Sequence, residues 1–103
     1  MSEPFFNEER TLEKRWSEIE EKINFKKSDF VLDIGCAEGL IAKAIAPKVS
    51  QVIGMDKNEE AIERANKDPQ GVIFRHMDVT TTSLRFHGQF SVILCLGVLH
   101  KLD

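Results

Sequence analysis

Four short runs of apolar residues stand out along the chain, at 30–34, 51–55, 72–77 and 90–96. The first is nearly continuous rather than alternating, the pattern of a strand buried on both faces. Between them the apolar positions recur at helical spacing. Leu40, Ile41, Ala44 and Ile45 mark a short helix closed by Pro47. Asn58 caps another that runs to about residue 67, with Ala61, Ile62 and Ala65 turned inward. The clusters Lys26-Lys-Ser-Asp29 and Asp68-Pro-Gln-Gly71 are turns between elements. Strands alternating with short helices predict a parallel α/β sheet by periodicity alone.

Ahead of the first strand, residues 7–24 read as a longer amphipathic helix. Leu12, Trp16, Ile19 and Ile23 fall on one face, Asn7 is the expected N-cap, and Glu8 and Glu9 suit the first turn. Residues 1–6 read as a loose end. The apolar stripe must cover something: a face of the sheet is the favoured reading, a substrate-side lid the other. The link over residues 78–89 is polar at first and then carries Leu84 and Phe86. It has to return along a strand of about 20 Å and step sideways. A dozen residues span about 40 Å extended but only about 18 Å as helix. A mostly extended link is therefore expected.

At 103 residues, the chain is sized for a single domain, a helical segment over 1–27 followed by a core over 28–103. Its 42% hydrophobic and 30% charged content reads as soluble and globular. No apolar run approaches the ~18 residues of a membrane span, and the N-terminus lacks a basic segment followed by an apolar one. A cytoplasmic protein is expected, with Cys36 and Cys95 as buried reduced thiols. Two thiols without neighbouring Cys or His make a poor zinc site, so no metal is expected. A net charge of −3 gives no electrostatic footprint for nucleic acid, although it does not exclude RNA as a substrate.

The chemistry concentrates in Val31-Leu-Asp-Ile-Gly-Cys-Ala-Glu-Gly39. A strand runs into a carboxylate, Asp33, and small residues then recur at Gly35, Ala37 and Gly39. One βαβ unit later, Val52-Ile-Gly-Met runs into a second carboxylate, Asp56. An open α/β sheet builds a nucleotide site in this way: the backbone turns tightly where no side chain obstructs it, and the acid ending the next strand accepts from ribose hydroxyls. An adenosine-bearing cofactor is the expectation. Asp33, an acid within an apolar strand, needs a partner or a functional reason.

These motifs resemble the cofactor-binding half of class I S-adenosylmethionine-dependent methyltransferases, over about residues 28–102. The first stretch is similar to that family's glycine-rich motif, with Ala37 at the middle glycine, a departure that asks for more room beside the cofactor. The resemblance implies a Rossmann-like parallel sheet of four strands in the order 3-2-1-4, flanked by helices and preceded by the N-terminal helix. It implies S-adenosyl-L-methionine as cofactor and S-adenosyl-L-homocysteine as product. Asp56 would hold the ribose diol. Asp78 would accept from the adenine amino group while the Val79 N–H donates to the ring, with Met77 beside them. Lys57 would lay its alkyl stem on adenine. Gly35, Cys36, Ala37 and Gly39 would bring the backbone up to the methionine portion, and Asp33 would fix that loop or act through water. Cys95 and Leu96, at the end of the fourth strand, complete the set.

Methyl transfer from a sulfonium needs alignment and a dry site more than a catalytic constellation. A base is needed only for poorly acidic nucleophiles, and His100, near the expected mouth of the fourth strand, is the one candidate. His76 and His87 read as structural. The fourth strand lacks the Asn/Asp-Pro-Pro-aromatic motif of DNA and many protein amino-group enzymes, which points to a small-molecule acceptor or to RNA. The family has seven strands and this chain supplies four, so an incomplete fold is expected. The uncharged run Val92-Ile-Leu-Cys-Leu96 reads as an interior strand. Its free edge should be covered by a second copy, a partner or the terminal segment. A non-catalytic cofactor-binding module or partner subunit is the competing reading. A nicotinamide oxidoreductase is disfavoured, because Gly35-x-Ala-x-Gly39 is not Gly-x-Gly-x-x-Gly. An Asp56→Ala variant is expected to lose nucleoside affinity with thermal unfolding nearly unchanged.

Overall fold

The computed structural model describes the backbone of residues 8–78, 90–95 and 98–101, and the side chains of residues 13–78 and 90–94. Helix α1 (Glu8–Lys22) precedes β1 (Phe30–Ile34), α2 (Leu40–Ile45), β2 (Gln51–Asp56), α3 (Glu59–Ala65), β3 (Val72–His76), β4 (Val92–Cys95) and β5 (Val98–Lys101). The sheet order is β3-β2-β1-β4-β5. The first four strands are parallel, in the expected order, with Val31 paired to both Val52 and Val92. The link over 79–89, Asn7 and the Leu12 side chain lie outside the described residues.

The fifth strand differs from the four-strand expectation. β5 runs antiparallel to β4, with Cys95 opposite Val98 and Val92 opposite Lys101. The terminal segment thus covers the β4 edge, one of the three covers the sequence allowed. Four residues following two others at the end of an apolar strand read as its continuation, which hid the reversal.

Strand alternation sends side chains to two faces. Val31, Val52, Val72, Phe74, Val92 and Leu94 join one cluster with Ile19 and Ile23, Ala42 and Ile45 of α2, and Ile62 and Ala65 of α3. All three helices therefore lie on this face, and the stripe of α1 covers sheet as favoured. Leu32, Met55, Phe90 and Ile93 form the cluster of the other face, where Phe30 and Ile73 are 43% and 39% exposed. Among the described residues no helix is long and apolar enough to cross a membrane.

Two details of α2 depart from the pattern. Ala42 and Ile45 carry its buried face, while Leu40 is 53% exposed. Leu40 is the first helical residue, and its Cβ points back over the preceding loop rather than into the core. Pro47 sits inside a 3-10 turn, Ala46–Lys48, that extends the helix rather than ending it. α3 follows expectation: the Asn58 side chain accepts from Ala61 N at 3.1 Å, and Ala61, Ile62 and Ala65 are buried.

A polar knot at the starts of the strands sets their register. Ser91 Oγ donates to Asp29 Oδ1 at 2.7 Å and accepts from Phe30 N at 3.1 Å. Ser50 N donates to Asp29 O, and Ser91 N to Phe30 O, both at 2.9 Å. With β1, β2 and β4 aligned at this end, their other ends stop level with one another, and there the candidate chemistry collects.

Candidate functional site

Ile34, Asp56, His76 and Cys95 end the four parallel strands on one side of the sheet. Crevices outside carboxyl strand ends are where open α/β sheets hold ligands. The loop after β1 turns through three left-handed residues at alternate positions, Gly35 (φ 76), Ala37 (φ 52) and Gly39 (φ 80). Gly35 N and Cys36 N both donate to Met55 O, at 2.7 and 3.0 Å, so the loop leans on β2. Gly39 N donates to Cys36 O at 2.8 Å, and Gly39 O accepts from Lys43 N to start α2.

Asp56 ties this loop to the next one. Its Oδ2 accepts from Ala37 N at 2.7 Å and its Oδ1 from Asn58 N at 2.8 Å. Each oxygen keeps a second lone pair for a ligand hydroxyl. Losing the carboxylate releases two charge-assisted bonds of about 1–3 kcal/mol each. The expectation that Asp56→Ala leaves unfolding nearly unchanged is therefore corrected: that variant should also lose stability.

Ala37 is exposed, so its methyl group does not crowd the loop; its left-handed backbone is the departure that matters. A Cβ in that region costs about 1–2 kcal/mol relative to glycine. Ala37→Gly should accordingly raise the midpoint of a thermal scan by several degrees, at about 4–8 °C per kcal/mol for a domain of this size. An unchanged or lower midpoint would count against the strained turn.

Asp33 is 5% exposed. Burial raises its carboxyl to about 7, the Arg15 charge opposes that rise, and Asp56 adds to it. Among the described residues no donor bonds to it. Cys36, also buried, is a free thiol pushed up to about 12 by burial and then by Asp33 and Asp56. At neutral pH it is un-ionised, which removes it as a nucleophile.

On the β3 side, Met77 N donates to Asp56 O at 3.0 Å, and the Lys57 carbonyl accepts from His76 Nε2 at 3.0 Å. These bonds hold Lys57 and Met77 beside Asp56, and Asp78 follows Met77 in the chain; all three are exposed. Met77, 37% exposed, adds an apolar side chain next to Asp78 in the chain. An exposed Arg64–Glu38 pair at 2.9 Å links the loop to α3 and adds little energy. The arrangement suits a ligand with hydrogen-bond donors at two ends and a flat apolar body, as adenosine has.

The remaining expected residues fall outside this cluster or outside the description. Val79 and Leu96 lie outside the described residues. Cys95 ends β4 opposite Ile34, and its side chain is not described. His100 pairs with Ile93, which is level with Leu32 in mid-sheet. Because β5 runs back along β4, its backbone stands two positions in from the strand ends rather than at their mouth. His76, read as structural, braces Lys57; the contributor that escaped the sequence reading is Phe74, whose ring reaches the loop. Gly54, a glycine inside a strand, was the available sign that something approaches closely there.

Residues 31–103 match a family model described as a methyltransferase domain. The ubiquinone biosynthesis O-methyltransferase of Pseudomonas aeruginosa is 34% identical over 76 residues, 70% of this chain and 33% of that protein. Its namesake from Pseudomonas fluorescens is 31% identical over 88 residues, 82% of this chain and 38% of that protein. The chain thus spans about a third of the length of the curated relatives it matches. Among solved structures, the YcgJ protein of Bacillus subtilis superposes with a TM-score of 0.58 at 28% identity, covering 61% of this chain and 29% of that one. A dimethyladenosine transferase from Plasmodium falciparum superposes at 0.53 with 24% identity, over 63% of this chain and 26% of the other, a likeness of fold alone. With the strand order, the glycine loop and the acid after β2 already in place, these matches lead to one conclusion: the chain belongs to the class I S-adenosylmethionine-dependent methyltransferase family.

Proposed function

We propose that the strand ends hold S-adenosyl-L-methionine and that the chain forms the cofactor-binding portion of an enzyme methylating a small molecule. The observation that carries this reading is Asp56, half-buried and fixed by two backbone N–H groups where the loops after β1 and β2 meet. A carboxylate held in this way is pre-aimed, so accepting from vicinal hydroxyls costs little reorganisation. Asp78 and the surface of Met77 suit the adenine end, with the Lys57 stem on the opposite side. The left-handed turn at Gly35 suits a close approach of the amino-acid end to the backbone. Asp33, near half protonation at neutral pH, anchors that end directly or through water. When bound, the cofactor supplies an electrophilic methyl group and leaves as S-adenosyl-L-homocysteine. The chain's own residues hold and orient the donor and keep water from it. No base is assigned, since His100 stands in from the strand ends.

The named relatives are O-methyltransferases, which favours a hydroxyl acceptor on a small molecule over RNA. A cytoplasmic setting fits a water-borne cofactor. A second copy or partner, expected from the sequence at the β4 edge, would now meet the outer edge of β5.

Calorimetry with S-adenosyl-L-homocysteine tests the reading. The parent chain should bind, and Asp78→Ala should weaken binding roughly tenfold with an unchanged unfolding midpoint, because Asp78 is exposed. Asp56→Ala, assayed cold enough to remain folded, should weaken it roughly a hundredfold. Affinity in Asp56→Ala equal to the parent's would sink the proposal. Binding without methyl transfer by the full-length protein would instead select the non-catalytic module.

A further inference from the structure

Phe74 belongs to β3, two strands away from β1, yet its ring lies against the loop that follows β1. The register explains its reach. Leu94, Asp33, Gly54 and Phe74 form one row across β4, β1, β2 and β3 on the helix-covered face. Gly54 offers no side chain, so the ring can lie across its neighbour's place in the row. A Cβ built on Gly54 would sit 2.9 Å from Phe74 Cδ1 and 3.0 Å from Cys36 Sγ. A Cβ on Gly39 would overlap Cζ and Cε1 of the same ring. The Phe74 side chain is buried, and the Lys43 ammonium stands 5.7 Å from its centroid.

The near end of the loop is fastened to β2. Gly35, Cys36 and Ala37 bond to β2, through Met55 O and the Asp56 carboxylate. The far end has no bond to β2 among the described residues: Gly39 is held by its turn to Cys36 O, by the Lys43 N bond that starts α2 and by the contact with the ring, beside the exposed Glu38–Arg64 pair. We propose that Phe74 is a positioning residue: its ring is the floor on which the 35–39 loop rests, and it tunes cofactor affinity through that loop without touching the cofactor. This inference rests on the reading of the strand ends as the cofactor site. The tip of the ring meets Gly39, so both a missing ring and a lengthened one displace the loop. The ring also covers the row beside Asp33, and its loss should admit water to that carboxyl.

The test compares Phe74→Ala, Phe74→Tyr, Phe74→Leu and the control Val72→Ala. Val72 joins the same core cluster at the other end of β3, away from the loop. All are titrated with S-adenosyl-L-homocysteine at a temperature where circular dichroism shows them folded. The parent should bind. Phe74→Ala and Phe74→Tyr should each weaken binding roughly tenfold or more, since small displacements of a positioning shell cost that much. Phe74→Leu should recover part of the loss, and Val72→Ala should stay within about twofold of the parent. In ligand-free samples the Gly35 and Gly39 amide resonances should move in Phe74→Ala and not in Val72→Ala. A parent that fails to bind overturns the site reading and this inference with it. A binding parent whose Phe74→Ala variant binds equally well, or no worse than Val72→Ala, overturns the inference alone.

Discussion

Gly39→Ala should lower the thermal midpoint by at least about 10 °C, the largest loss expected from a single methyl group in this chain. Two independent costs add. The backbone at φ 80 is left-handed, where a Cβ costs about 1–2 kcal/mol. The new carbon also overlaps the Phe74 ring, which is buried in the core cluster and has little room to give. Forced overpacking of this kind costs about 1–3 kcal/mol. The sum is a large share of the ~5–15 kcal/mol that holds a domain of this size together. Adding Phe74→Ala separates the two costs. The overlap disappears and the left-handed backbone remains, so the double variant should lose less than the two single losses combined, by about 1–3 kcal/mol. Strict additivity in urea melts would show that ring and glycine do not meet.

Asp33→Asn is the second large effect, and it depends on pH. Burial raises this carboxyl from 3.8 to about 7 in the folded chain. Below about pH 4 the folded and unfolded chains are both protonated and the acid carries no penalty. As pH rises, the unfolded chain releases its proton first while the folded chain keeps it, so stability drains away until pH passes about 7. A rise of about three units corresponds to about 4 kcal/mol lost on the alkaline side. Asparagine never ionises and should escape that loss. Its urea midpoint should therefore match the parent's near pH 4.5 more closely than at pH 8, where the variant should be much the more stable. Equal differences at both pH values would mean that the carboxyl is wet in the folded chain. An acid retained against such a cost fits the role proposed for it toward the amino-acid end of the cofactor.

How far the sequence was legible follows from whether each signal was local. The four parallel strands read directly, because each carries a short apolar run between turn signals, most nearly unbroken in β1 and β4. The Asn58 cap and the inward residues of α3 read directly too, since cap and stripe lie within seven residues of each other. What escaped was decided across the sheet. Asp56 was legible as a ligand acceptor but not as the acceptor of Ala37 N, 19 positions away. Phe74 reaches Gly39 because Gly54, its partner in the register, carries no side chain to block the ring. Leu40 carried the right residue type for a core but stood at the one helical position that faces away from it. The reversal into β5 left no mark, because an antiparallel return and a continued strand use the same apolar letters.

The central place of β1 also governs the order in which the chain can assemble. Its first partner, β2, follows after one short helix, and that crossover closes over a modest loop. Its other partner arrives much later, and Ser91 meets Phe30 across 61 positions. Until then, the flank of Val31 and Leu32 offers unpaired amides and carbonyls to any neighbouring chain. The late strand is thus the seal on a nascent edge, and a chain emerging during synthesis has to keep that edge from others until β4 docks.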